Sequence, residues 1–290
     1  MSPPGNDFFA ANSGRISVLA NKFSSYVFAI ESKRIIEWIK QFEPEHFEIA
    51  LKLLEAVDYY DPPRVISELA VLGATIEQTC GKRLREIIFS GFTPPGKSGD
   101  WMLAAFRLAN DLKPDIYQSN FIHLTELSDP RFKKLDTRIG PDALRAPVTR
   151  STRPTGSYLF VFLDDYIGTG NSAIQTWANI QGETNDEDRY YLASLVATES
   201  GIEKIASHAP DLKLICPNII RDSNKLLNDS NKLFTDEEKR VLTGYCKRAH
   251  PTQYLGYGGV QSVTIFFQRC ADNVLPILHS QHDWKPLFIR

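Results

Sequence analysis

The sequence predicts an α/β chain built on a Rossmann-like parallel sheet and preceded by a small helical module. Three stretches carry that expectation. Residues 86–108 and 157–180 each read as an apolar strand, a loop of small residues and a helix. Residues 190–216 read as strand, helix and strand, which continues the same parallel sheet.

The N-terminus, MSPPGNDFFAANSGR, is polar and rich in Pro and Gly. It is expected to be a loose arm and has no signal-peptide pattern. Ser32 to Cys80 is helical in character. Ile35, Ile36, Trp38 and Ile39 give one apolar face, and Ile49, Ala50, Leu53 and Leu54 a second. Asp61-Pro62-Pro63 is a helix start with Asp as N-cap, followed by Val65, Ile66, Leu69 and Leu72. Three short helices are open to a helix-turn-helix or winged-helix reading with DNA as partner, or to a plain helical cap. The third helix shows mainly Arg64, Ser67 and Glu68, a poor set for reading base edges. The expected division is an arm and helical module over 1–80 and the α/β domain over 81–290.

Glu86 to Phe92 is the first strand of the sheet. A loop over 93–99 follows, and then a helix with Trp101, Met102, Ala105, Phe106 and Leu108 on its apolar side. Gly91 to Ser98 fits G-x-x-x-x-G-K-[ST], so a P-loop type of nucleotide-binding protein competes for this stretch. Pro94 and Pro95 count against it, because a phosphate cradle needs the backbone N–H groups that proline lacks.

Tyr158 to Leu163 is apolar, β-branched or aromatic, the composition of a buried parallel strand. It is expected to end at two carboxylates, Asp164 and Asp165. Gly168, Thr169, Gly170, Asn171 and Ser172 follow at the start of a helix, where orphan N–H groups and the helix dipole favour an anion. The carboxylates accept hydrogen bonds from vicinal hydroxyls and hold Mg²⁺ through water. Phosphate, diol and metal together describe a ribose 5-phosphate. The competing reading is a solvated strand-to-helix turn.

FVFLDDYIGTGNS resembles the signature of the type I phosphoribosyltransferases: a hydrophobic strand, two acids, two apolar residues and a Thr-Thr-Gly-Gly-Thr-like loop. Asp164, Asp165, Thr169, Gly170 and Ser172 fit it, whereas Gly168 and Asn171 replace Thr and Gly. The resemblance implies that the acids hold the ribose hydroxyls of phosphoribosyl pyrophosphate and that residues 168–172 hold its 5-phosphate. It further implies Mg²⁺ as cofactor and Lys97, Ser98 and Gly99 as the pyrophosphate contacts. The implied chemistry is glycosyl transfer at the ribose anomeric carbon, with pyrophosphate leaving. A sensor that binds the same ligand without turnover is the alternative.

Phe121 to Leu124 reads as a third strand. Residues 128–157 are irregular and basic, with Arg131, Lys133, Lys134, Arg138, Arg145, Arg150 and Arg153. The resemblance implies a cationic flap over the pyrophosphate there, and the competing reading is a solvated basic loop. SNKLLND followed by SNKLFTD is a local echo, read as an insertion before a helix over Asp236 to Lys247. The tail carries a strand over Val263 to Phe267, then N-x-L-P-I-L and W-x-P-L-F-x-R. These resemble a divergent branch of the family found in bacterial conflict systems. That branch implies an anti-phage effector acting on nucleotides, beside a retron reverse transcriptase with its RNA–DNA, or beside another defence-cassette protein. A homo-oligomer is expected as well. By position in the tail, Tyr257 and Asn273 are expected on the base side of the pocket, or else in the core.

Composition excludes little else. The 33 basic and 35 acidic residues nearly balance, so bulk charge indicates no nucleic-acid or membrane surface as partner. Cys80, Cys216, Cys246 and Cys270 are scattered, as reduced thiols of a cytoplasmic protein would be. The histidines form no metal pattern.

Overall fold

The computed structural model describes residues 6–93, 98–112, 121–122, 124, 157–184 and 186–290. The chain forms two compact units. One contains Met1–Val65 and Ile220–Arg290, the other Ile66–Ile219. This differs from the division expected at residue 80, because the N-terminal helices share a core with the C-terminal tail.

The first unit begins with α1 (Asn6–Ala11) and α2 (Ser13–Lys22). The expected loose arm is therefore helical from Asn6. Phe8 and Phe9 are its anchors, with ring centroids 5.5 and 5.1 Å from Phe47. Next come α3 (Ser32–Ile39), α4 (Phe47–Ala56) and β1 (Asp58–Tyr60). Ile35, Trp38, Ala50, Leu53 and Leu54 are buried as their spacing predicts. α5 (Pro62–Cys80) then carries the chain into the second unit. Asp61 caps it, its Oδ1 accepting the Arg64 N–H at 2.8 Å.

The second unit is the α/β sheet. It contains β2 (Ile88–Gly91), α6 (Ser98–Ala109), β3 (Phe121–Ile122), β4 (Leu159–Ile167), α7 (Asn171–Ile180), β5 (Arg189–Thr198), α8 (Glu199–His208) and β6 (Leu212–Ile215). The strand order is β3-β2-β4-β5-β6, and every one of these pairings is parallel. A further strand, β7 (Asn218–Ile220), also pairs with β5. Phe160, Phe162, Trp177, Tyr190, Leu192 and Ile205 form the core between the sheet and α7 and α8. On α6, Met102 and Phe106 are buried as expected, but Leu108 is 74% exposed. The helix turns it to solvent one residue short of its end.

The tail completes the first unit with α9 (Asp236–Ala249), β8 (Thr264–Phe266) and α10 (Pro276–His279). β8 pairs in parallel with β1, Asp58 opposite Thr264 and Tyr60 opposite Phe266. A winged helix needs an antiparallel hairpin as its wing, and a parallel pair needs a long crossover instead. Among the described strands of this unit the pairing is parallel, so the winged-helix expectation gains no support from them. The indoles of Trp38 and Trp284 both donate to the Ile277 carbonyl, at 2.9 and 2.7 Å. The SNK echo does not repeat in packing: the first copy buries its fourth residue, Leu226, and the second its fifth, Phe234. No helix among the described residues is long and apolar enough to cross a membrane.

Candidate functional site

The sheet places the site before any side chain is considered. Successive strands run outward from β2 to β3 on one side, and from β4 through β5 to β6 on the other. The direction reverses between β2 and β4, and ligands of doubly wound sheets bind outside the strand ends at such a reversal. The loops leading into α6 and α7 both start there.

β4 is longer than the sequence suggests. Its ladder with β5 continues through Asp164 opposite Ser194, Tyr166 opposite Val196 and Ile167 opposite Ala197. The two acids thus lie within the strand, and the turn shortens to Gly168–Gly170. Adjacent strand residues point to opposite faces, so the carboxylates do not share one. Asp164 is half-buried, and its Oδ1 accepts the Asp165 N–H at 3.0 Å and the Ser98 hydroxyl at 3.4 Å. Asp165 is only 7% exposed, and its Oδ1 accepts the Tyr166 N–H at 2.9 Å.

Ser98 opens α6, so its bond to Asp164 brings the start of that helix to the end of β4. Two glycines make this approach. A Cβ on Gly91 would lie 2.6 Å from the Gly99 carbonyl carbon, and one on Gly99 would lie 3.0 Å from Gly91 Cα. No side chain fits between the strand end and the helix. The Gly99 N–H, expected to receive pyrophosphate, donates to Thr93 Oγ1 at 2.8 Å instead. Lys97, Pro94 and Pro95 lie outside the described residues, as do the basic residues of the expected flap.

The Gly168–Ser172 loop is held by α8, which the sequence alone did not predict. Gly170 caps α7 with φ of +74°, a conformation that favours glycine. Thr198 caps α8, accepting the Gly201 N–H at 3.0 Å, and donates its own hydroxyl to the Gly168 carbonyl. A Cβ on Gly201 would lie 2.3 Å from that carbonyl oxygen, and one on Gly170 would lie 2.9 Å from the Gly201 oxygen. Lys204 Nζ donates to Asn171 Oδ1. Thr169 is half-buried, and Asn171 and Ser172 are exposed at the start of α7. A signal for the brace existed: Thr198 sits at a strand end before Glu199, an N-cap pattern.

The family model for PRTase-CE matches residues 35–290. The chain belongs to the PRTase-CE family. None of the curated proteins compared with it matches the chain. Membership in PRTase-CE makes the chain a phosphoribosyltransferase-like protein with the expected parallel α/β sheet, and the match includes both the acid-containing strand and the tail. The match spans both the 91–98 stretch and the GTGNS loop, which favours the phosphoribosyltransferase-like reading over the P-loop one. The pattern's outer glycine, Gly91, and the neighbouring Gly99 serve packing here.

The donor types present are the test of Mg²⁺, the cofactor expected from the sequence. Among the described residues no cluster of three or more His, Cys, Asp or Glu side chains forms a closed cage. Mg²⁺ typically takes one or two carboxylates and completes its shell with water and ligand phosphate, and half-buried Asp164 offers such a carboxylate. The tail residues expected at the base pocket are engaged within the other unit. The Asn273 amide donates to the Tyr257 carbonyl at 3.0 Å, which pins the glycine-rich loop.

Proposed function

We propose that this PRTase-CE domain binds phosphoribosyl pyrophosphate, or a related ribose-phosphate nucleotide, at the carboxyl ends of β2 and β4. One observation carries the reading: the Ser98–Asp164 contact brings the start of α6 to the C-terminal part of β4 at the sheet's reversal point. The N-terminus of α7 with Gly168–Ser172 receives the 5-phosphate through backbone N–H groups and hydroxyls. Asp164 accepts hydrogen bonds from the ribose hydroxyls and would be the carboxylate that holds Mg²⁺. Asp165 supports the same strand end from the opposite face. Ser98, with Lys97, meets the pyrophosphate. Bound Mg²⁺ would supply charge neutralisation for the two phosphate groups.

In a transfer reaction the bond from the anomeric carbon to the pyrophosphate oxygen breaks, and a bond to the acceptor forms. Charge develops on the leaving group, so donors and positioning at α6 matter more than a general base. The biological setting we infer is a bacterial anti-phage effector acting on nucleotides, alongside a reverse transcriptase complex or another defence protein. A second reading, a sensor that binds without turnover, is favoured by one feature. The Gly99 N–H is already committed to Thr93, which leaves one fewer donor for a leaving group.

Calorimetric titration with phosphoribosyl pyrophosphate and Mg²⁺, with ATP and Mg²⁺ in parallel, tests the site. The Asp164→Asn, Asp165→Asn double variant is expected to keep the fold and lose affinity by roughly a hundredfold or more, given charged hydrogen bonds of about 1.5–3 kcal/mol each. Unchanged binding in that variant would remove the acids from the site. Binding of ATP alone would restore the P-loop reading. Product formation with a base acceptor separates transferase from sensor.

A further inference from the structure

The segment proposed to hold the 5-phosphate has no cation of its own. From Asp164 to Thr184 the sequence contains neither Lys nor Arg. A phosphate monoester approaches a charge of −2 at neutral pH, and a helix N-terminus presents only about half a positive charge. Backbone N–H groups and hydroxyls can hold the phosphate by themselves, and a Lys or Arg from another element would add a full positive charge that favours the dianion.

α8 supplies one. Gly201 contacts the Gly168 carbonyl and Ile205 lies against Gly170. Lys204, between them on α8, reaches past the loop to Asn171, the first residue of α7. Asn171 stands where the phosphoribosyltransferase motif has glycine, so in this chain the loop carries a side-chain acceptor that parks an ammonium group at its mouth. Lys204 is half-buried, and its long stem leaves the head free to shift from Asn171 to a nearby anion.

We propose that Lys204 is a specificity-determining cation for the 5-phosphate. It selects 5-phosphorylated pentoses over unphosphorylated ribosides, with Asn171 as its resting acceptor. The inference deepens the proposed ribose-phosphate site and rests on that reading.

The probe is ribose 5-phosphate with Mg²⁺, titrated calorimetrically into wild type, Lys204→Gln and Lys204→Arg. Pyrophosphate with Mg²⁺ is the control ligand, and melting curves check the fold. Lys204→Gln is expected to bind ribose 5-phosphate roughly tenfold more weakly or worse, and Lys204→Arg to recover most of the loss. Pyrophosphate affinity should not change. Raising the salt concentration should weaken wild type more than Lys204→Gln, because the variant has lost one screened charge pair. Wild-type affinity for ribose 5-phosphate in Lys204→Gln overturns this inference and leaves the site standing. An equal loss for both ligands also overturns it, since the lysine would then act on the fold. Absence of ribose 5-phosphate and phosphoribosyl pyrophosphate binding in wild type overturns both this inference and the reading beneath it.

Discussion

Replacing Gly201 with alanine should move the Gly168–Ser172 loop, the proposed phosphate site. The added methyl would lie 2.3 Å from the Gly168 carbonyl oxygen, 3.1 Å from Thr198 Oγ1 and 3.2 Å from Ile167 Cγ2. Ordinary contact requires the carbonyl to retreat by roughly 1 Å. It is backbone, and the Thr198 hydroxyl donates to it, so it cannot swing aside as a flexible side chain would. Overpacking of this kind costs about 1–3 kcal/mol. The helix-propensity gain of Gly to Ala, up to about 1 kcal/mol, acts the other way. The clash wins, and a net loss of roughly 1–2 kcal/mol follows, with the displacement falling on Gly168–Gly170. Gly244 is the internal control. It lies in α9 with nothing within 4 Å of its would-be Cβ, so Gly244→Ala should stabilise by up to about 1 kcal/mol. The assay is a pair of thermal melts and ribose 5-phosphate titrations. Gly201→Ala should melt lower and bind at least about tenfold more weakly, because the donors are aimed to within a fraction of an ångström. A Gly201→Ala protein that melts and binds like wild type would refute the brace.

Two further outcomes concern the other unit. Thr235 and Glu238 form a reciprocal cap on α9, Thr235 Oγ1 accepting at 3.2 Å and Glu238 Oε2 at 2.7 Å. Thr235→Ala should cost about 1 kcal/mol in chemical denaturation and Thr235→Ser much less, whereas equal losses would count against capping. His279 is buried, its Nε2 bonded to the Val274 carbonyl at 3.0 Å, and burial holds it below the usual histidine value of 6.5. The unfolded chain therefore binds this proton more readily, so stability is full above pH 6.5 and declines as pH falls towards the folded-state value. His279→Gln should flatten the stability profile between neutral and acidic pH, and an unchanged slope would assign that loss to other groups.

Much of the sheet could be read from residue type. Leu159 to Leu163 is apolar throughout because both faces of β4 are covered, and the glycines and hydroxyls after it mark a turn into a helix. Where β4 ends could not be read. Asp164 and Asp165 look like turn residues, but β5 pairs with Asp164, Tyr166 and Ile167, and that neighbour begins more than twenty positions later. The first unit hid its plan for a related reason. Its sheet joins Asp58–Tyr60 to Thr264–Phe266, and its indoles converge on one carbonyl from both chain ends. Periodicity within a window cannot register such pairings.

The brace explains why the loop's departures from the family motif are tolerable together. Gly168 in place of Thr removes a hydroxyl, yet its carbonyl is fixed by the Thr198 hydroxyl from the neighbouring strand. Asn171 in place of Gly adds a side chain at an exposed position, and Lys204 engages it. Both substitutions are answered from the end of β5 and the first turns of α8, and Gly201 has no side chain so that this helix can lie against the loop. On the proposed reading the site is a two-helix construction: α7 would present N–H groups to the 5-phosphate, while α8 sets the height of the loop and would contribute charge. A chain altered only within 168–172 to restore the Thr-Thr-Gly-Gly-Thr pattern would lose the Asn171–Lys204 contact. Its Gly168→Thr change would also add a branched side chain to the residue whose carbonyl faces the Gly201 backbone. It should bind ribose 5-phosphate no better than the natural sequence.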